Sequence, residues 1–134
     1  MNPLPLGVTP TYISAIFHND GESGVFALGS DKKLYGVGAN TLGKLINTET
    51  GNVSNWEAVK LDATTDLTGV RQISSTHTSE EWSGAAVLVE PTATSGGKPV
   101  IYVWGHNNQN SLASGTAQIF EYPLIPASFI NLIM

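Results

Sequence analysis

The chain has 134 residues, 41% of them apolar, enough for one ordinary domain with a real core. Its net charge is −5 and its six Lys and Arg stand singly, so no basic stripe could neutralise a phosphate backbone and nucleic acid is not an expected partner. There is no cysteine, which excludes disulfide frameworks, thiol catalysis and cysteine metal sites together.

The N-terminal stretch MNPLPLGVTP lacks the basic and apolar regions of a secretory signal, and no later apolar run approaches the length of a membrane-spanning helix, so no membrane insertion is expected. Pro3–Gly7 reads as a weak leading strand. Thr11–Phe17, Gly24–Gly29 and Lys33–Val37 follow as short strands between turn signals. Further along, Trp56–Leu61, Val70–His77, Ala85–Glu90 and Val100–Trp104 form a second set of four. No segment sustains an i, i+3, i+4, i+7 apolar pattern for ten residues, so helix content should be small. Charged residues make up 13% of the chain, about half the usual share, while Gly, Ser, Thr and Asn are abundant. That mixture suits strands joined by tight bends.

The two sets of strands carry an echo. Tyr35, Gly38, Asn40 and Leu45 match Tyr102, Gly105, Asn107 and Leu112, with 67 residues between the members of each pair. Upstream, Ile13-Ser14 answers Ile73-Ser74, and the run Ser23–Leu28 answers Ser83–Leu88, now 60 residues apart. The difference falls where Asp31-Lys32-Lys33 becomes the longer Glu90–Lys98, and a hairpin tip tolerates insertion because loop closure costs only slowly more with length. Four strands in a unit of this size imply propeller blades. The shared residues read as scaffold: glycine for a sharp backbone turn, asparagine to hydrogen-bond the turn, leucine to anchor the loop in the core.

The stretch Tyr102–Gly115 (YVWGHNNQNSLASG) resembles the repeat of the regulator of chromosome condensation family, roughly Tyr-x-Trp-Gly-x-Asn-x-x-Gly-Gln-Leu-Gly-x-Gly. Gly24–Leu28 and Gly84–Leu88 resemble the strand that precedes this motif in the family, and Ser30–Tyr35 the hairpin that leads into it. The pattern is degenerate but in register: Trp104 is answered by Val37, and the closing tetrad is Gly43–Ile46 in one copy and Asn110–Ala113 in the other. The resemblance implies an all-β fold of four-stranded antiparallel propeller blades, commonly seven in the family. It implies no single activity, since one member promotes nucleotide exchange on a small GTPase and another inhibits β-lactamases.

On this reading residues 1–52 form a first blade, residues 53–118 a second, and residues 119–134 the start of a third, because Glu121–Ile125 parallels Trp56–Leu61 and Phe129–Leu132 parallels Val70–Ile73. Two blades cannot close a ring. The expectation is therefore a part of a larger propeller, or an edge completed by another chain, including a further copy of this one.

Little in the chain reads as reactive. His18, Asp20 and Glu22 are metal-type donors, but asparagine and glycine among them and the missing acidic alternation of a calcium loop read as a turn. His77, Ser79 and Glu80 lack a Gly-x-Ser-x-Gly elbow, and a triad is a spatial arrangement that adjacency does not supply. His106 occupies a variable turn position, and Ser95–Lys98 lacks the spacing of a phosphate loop. No catalytic, metal or cofactor site is expected. The candidate partner-binding residues lie where the two copies disagree: Glu80, Glu81 and Trp82 in one loop, Ser95 and Lys98 in another, Trp82 being the type of exposed loop aromatic that anchors interfaces. The expected role is a non-enzymatic interaction or structural module, extracellular or virion-associated in preference to cytoplasmic, with a soluble regulator as the alternative.

Overall fold

The computed structural model describes residues 3–17, 23–40, 45, 51–76, 84–106 and 119–125. These residues are all-β, with no helix among them. Eight strands follow in order: β1 (Pro10–Phe17), β2 (Ser23–Gly29), β3 (Leu34–Gly38), β4 (Val53–Ala58), β5 (Val70–Ser75), β6 (Gly84–Val89), β7 (Val100–His106) and β8 (Ile119–Leu124). They make two four-stranded antiparallel meanders, β1-β2-β3-β4 and β5-β6-β7-β8, the form of two propeller blades.

The registers of the two sheets correspond. Ile13 lies opposite Ala27 and Ala27 opposite Tyr35; at the equivalent positions Ile73 lies opposite Val87 and Val87 opposite Tyr102. Gly24 opposite Gly38 becomes Gly84 opposite Gly105, and Gly38 opposite Val53 becomes Gly105 opposite Phe120. Even the irregularities recur, with a register shift between Pro10 and Tyr12 answered between Val70 and Gln72.

Three sequence expectations are corrected here. Pro3–Gly7 is not a strand, since Pro3 and Pro5 have no N–H to give a ladder. The stretch expected to open the second blade, Trp56–Leu61, instead yields β4, which closes the first sheet by pairing with β3. In the same way Glu121–Ile125, expected to open a third unit, falls mostly within β8 (Ile119–Leu124), which pairs with β7 and completes the second sheet. The physical reason is common to both: an antiparallel return onto the strand just left satisfies its outer edge at once, whereas starting a new sheet would leave that edge open. The boundaries drawn before residues 53 and 119 therefore each fall just ahead of a fourth strand. Phe129–Leu132 lies outside the described residues.

One core joins the sheets. The β2–β6 faces turned toward each other bring Phe26 and Leu28 against Ile73, Val87 and Trp104, with Leu34, Val59 and Leu67 in the same cluster. Phe26 and Trp104 meet edge to face, centroids 6.0 Å apart at 90°. An edge-to-face pair of this kind contributes about 1 kcal/mol beyond its area. Val59 and Leu67 come from the segment between β4 and β5, which hangs across the seam by backbone bonds from Val59 N–H to the Leu34 carbonyl (2.8 Å) and from Leu67 N–H to the Val59 carbonyl (2.9 Å).

Candidate functional site

The hairpin tips at the β2–β3 end form a polar brace. In the tip between β2 and β3, Lys32 adopts φ 61°, and its carbonyl accepts the N–H of Val70, the first residue of the second sheet, at 2.9 Å. Its ammonium donates to Glu90 at the end of β6. Beside it, Asp66 accepts from both Lys33 (2.9 Å) and Lys60 (2.5 Å). Hydrogen bonds from Lys33 and then Lys60 hold the Asp66 carboxyl below the usual carboxylate range, and the bond to Asp66 holds the Lys33 ammonium above the ordinary lysine value. The Tyr35 hydroxyl donates to Asp31 at 2.6 Å. Burial first, and the Asp31 carboxylate second, push that phenol well up. Asp62, which accepts the N–H groups of Thr64 and Thr65 at 2.9 Å each, closes the neighbouring turn, and the Thr64 N–H holds its carboxyl below its ordinary value. These groups are stitched into the seam and contribute fixed charge pairs, not reactive ones.

The echoed residues are placed as scaffold. Gly38 and Gly105 have φ of 113° and 115° and sit at equivalent register shifts against β4 and β8, so each glycine forms a bulge within the sheet instead of a turn out of it. Asn40 is buried, its Oδ1 accepting the N–H of Leu45 at 2.8 Å, and Leu45 is buried in the core. Tyr35 and Trp104 are buried, while Tyr102 is half-buried against the core cluster. Asn107 and Leu112 lie outside the described residues.

The loop candidates divide. Glu80, Glu81 and Trp82 lie outside the described residues, as do His18, Asp20, Glu22, His77 and Ser79. Ser95, expected at a partner-binding tip, instead turns inward: its Oγ accepts the Thr92 N–H at 3.0 Å and lies within donating distance of the Lys98 carbonyl at 2.5 Å. The two neighbouring glycines at φ 64° and 75°, Gly96 and Gly97, fold the tip back so that a short hydroxyl can replace the missing ladder. Residues 91–94 and 96–99, Lys98 among them, are the part of this loop that faces solvent.

Among the described residues the large exposed apolar side chains lie elsewhere. Tyr12 and Ile13 on β1 are 55% and 60% exposed, and Leu6 ahead of them is fully exposed. A groove of about 300 Å³ runs beside Ile13 between Leu4, Val8, Ala27 and Trp56. A larger cleft, about 630 Å³, is lined by both sheets, with Thr11, Tyr12 and Leu28 of the first and Ile73, Val87 and Leu88 among those of the second. The signal available in the sequence was the contrast of Ile13 with Ile73, equivalent residues of which only the second has a neighbouring sheet to cover it.

No family model matches the chain, and no curated protein does.

Proposed function

We propose that this chain is a non-enzymatic interaction or structural module built from blades of the regulator of chromosome condensation type, part of a surface or virion-associated assembly such as an adhesin or a phage accessory protein. The observation that carries this reading is the exposure of Leu6, Tyr12 and Ile13, on and just ahead of β1, while the charges of the polar brace are already engaged with one another. Large apolar side chains held open on a rigid strand supply association free energy at little ordering cost. The low charged fraction and the wealth of Thr, Asn, Ser and Gly support a surface component. A soluble regulator that grips its partner by blade loops is the second reading, favoured by the solvent-facing residues 91–94 and Lys98.

The test runs the purified chain against ester, amide, glycoside and phosphoester substrates and, in parallel, against intact particles or cell envelopes of its source in co-sedimentation. Co-sedimentation without turnover supports the assembly reading. Recovery only with a soluble protein, at one-to-one stoichiometry, favours the regulator. Turnover that disappears in His77→Ala would overturn both.

A further inference from the structure

β1 and β5 each break register near their start, and both breaks open on the same cleft. The shift between Pro10 and Tyr12 leaves Thr11 without a cross-strand partner, and the shift between Val70 and Gln72 does the same to Arg71. A bulge re-aims the side chain it carries. Thr11 and Arg71 both line the 630 Å³ cleft to which the two sheets contribute. The two breaks are equivalent in the repeat, yet only the second carries a cation.

The cleft has an apolar floor and a rim of hydrogen-bond donors. Leu28, Ile73 and Val87 in its lining are buried and Leu88 and Ile101 half-buried, whereas Tyr12, Arg71, Gln72 and Ser74 are exposed at its edge. None of these four rim side chains has a hydrogen bond or ion pair among the described residues. Arg71 contrasts in this with Lys32, Lys33 and Lys60, which are engaged by Glu90 and Asp66. Glu90 lines a smaller adjoining cavity together with Thr11 and Arg71, but it pairs with Lys32. Among the described residues no carboxylate lines the larger cleft, so its one guanidinium faces no competing anion of the chain.

We infer that this cleft is a binding site for a small organic monocarboxylate with an aromatic body, the carboxylate on Arg71 and the ring on the apolar floor. This goes beyond the interaction-module reading and does not depend on it. The cleft has the volume of a small-molecule site and its character, an apolar lining with a few convergent polar groups. The guanidinium offers two parallel N–H donors that match a carboxylate, and Gln72, Ser74 and Tyr12 add neutral donors beside it. A phosphate dianion would call for further cations, and among the described residues no second basic side chain lines the cleft. The aromatic body supplies the association free energy by covering Leu88 and Ile101, the floor residues left half-buried.

The measurement titrates the full chain, labelled with nitrogen-15, with 2-naphthylacetate and separately with its neutral carboxamide, following backbone amide shifts at low salt, where an exposed ion pair is least screened. Wild type is expected to bind the acid one-to-one with Kd about 1 mM or tighter, with the shifts centred on β5 and β6. The carboxamide, which keeps the ring and loses the charge, should bind about tenfold more weakly. Arg71→Gln should erase that difference, and Arg71→Lys should keep only part of it, because an ammonium lacks the planar fork. Ala86→Leu narrows the cleft and should weaken acid and carboxamide alike, by about tenfold. Circular dichroism melts are the folding control, and should Ala86→Leu melt well below wild type, Ser74→Phe at an exposed position of the same cleft takes its place. The inference is overturned by any of four results: no saturable shift up to about 10 mM acid, equal affinity of wild type for acid and carboxamide, an advantage of the acid that survives in Arg71→Gln, or shifts centred away from β5 and β6.

Discussion

Gly38 shows how one residue fixes a sheet irregularity. Its φ of 113° lies where a side chain is strained, and a Cβ there would stand 2.5 Å from the Ser23 carbonyl oxygen, on a strand that cannot retreat without breaking its ladder. Gly7 supplies the comparison: its φ is 85°, yet a Cβ would meet nothing within 4 Å. Gly38→Ala should therefore lower unfolding free energy by about 3 kcal/mol, from strain and collision together, whereas Gly7→Ala should cost about 1 kcal/mol from strain alone. Urea midpoints at constant m-value measure both. Equal midpoints for the two variants would show that the close approach to Ser23 does not constrain the bulge.

At the scale of elements, the brace between the β2–β3 tip and the segment ahead of β5 makes stability pH-dependent. Asp66 has a folded pKa below its unfolded value of 3.8, so its contribution is present above that pH and is lost as pH falls through the lower folded value. Lys33 and Tyr35 are shifted up from 10.5 and 10.0, so stability is lost on their account as pH climbs past those values. Asp66→Asn should lower stability at pH 7 by about 1 kcal/mol, with Tm down by about 3–5 °C, and should flatten the acid limb below pH 4 while leaving most of the Tyr35 part of the alkaline limb. Calorimetry from pH 2 to 11 checks it; an acid limb as steep as wild type's would assign that limb to other carboxylates. This brace was not legible in the sequence. Lys60 and Asp66 share one turn, but Lys33 is distant in sequence and meets them only when the segment after β4 folds back beside β3, whereas the strands themselves and the matched registers could be read from spacing. The placement of β4 and β8 was missed for a related reason: a strand pattern shows that a segment is extended but not which edge it pairs with, and the return onto β3 or β7 is decided by the open edge already there. The Gly-rich neighbours of Ser95 mark a turn and so suggest an exposed tip, and only the fold shows the hydroxyl turned inward.

The whole molecule unfolds as its core dictates. Although hydrogen bonding divides the chain into two sheets, Phe26, Leu28 and Leu34 of the first share one apolar cluster with Ile73, Val87 and Trp104 of the second. Each four-stranded sheet alone would expose the face it buries in this seam, and a sheet with one open apolar face is a poor independent unit. The two sheets should therefore open together. Native-state hydrogen exchange should give the slowest amides of β2 and β6 the same opening free energy, within about 1 kcal/mol. Trp104→Ala removes the largest fully buried side chain among the described residues, at an expected cost of about 3–5 kcal/mol. Because Trp104 belongs to β7 but packs on Phe26, that loss should appear in the exchange of β2 amides as fully as in those of β6. If the variant speeds exchange in β6 and leaves β2 at its wild-type rate, the sheets are separate folding units and the seam is only a contact between them.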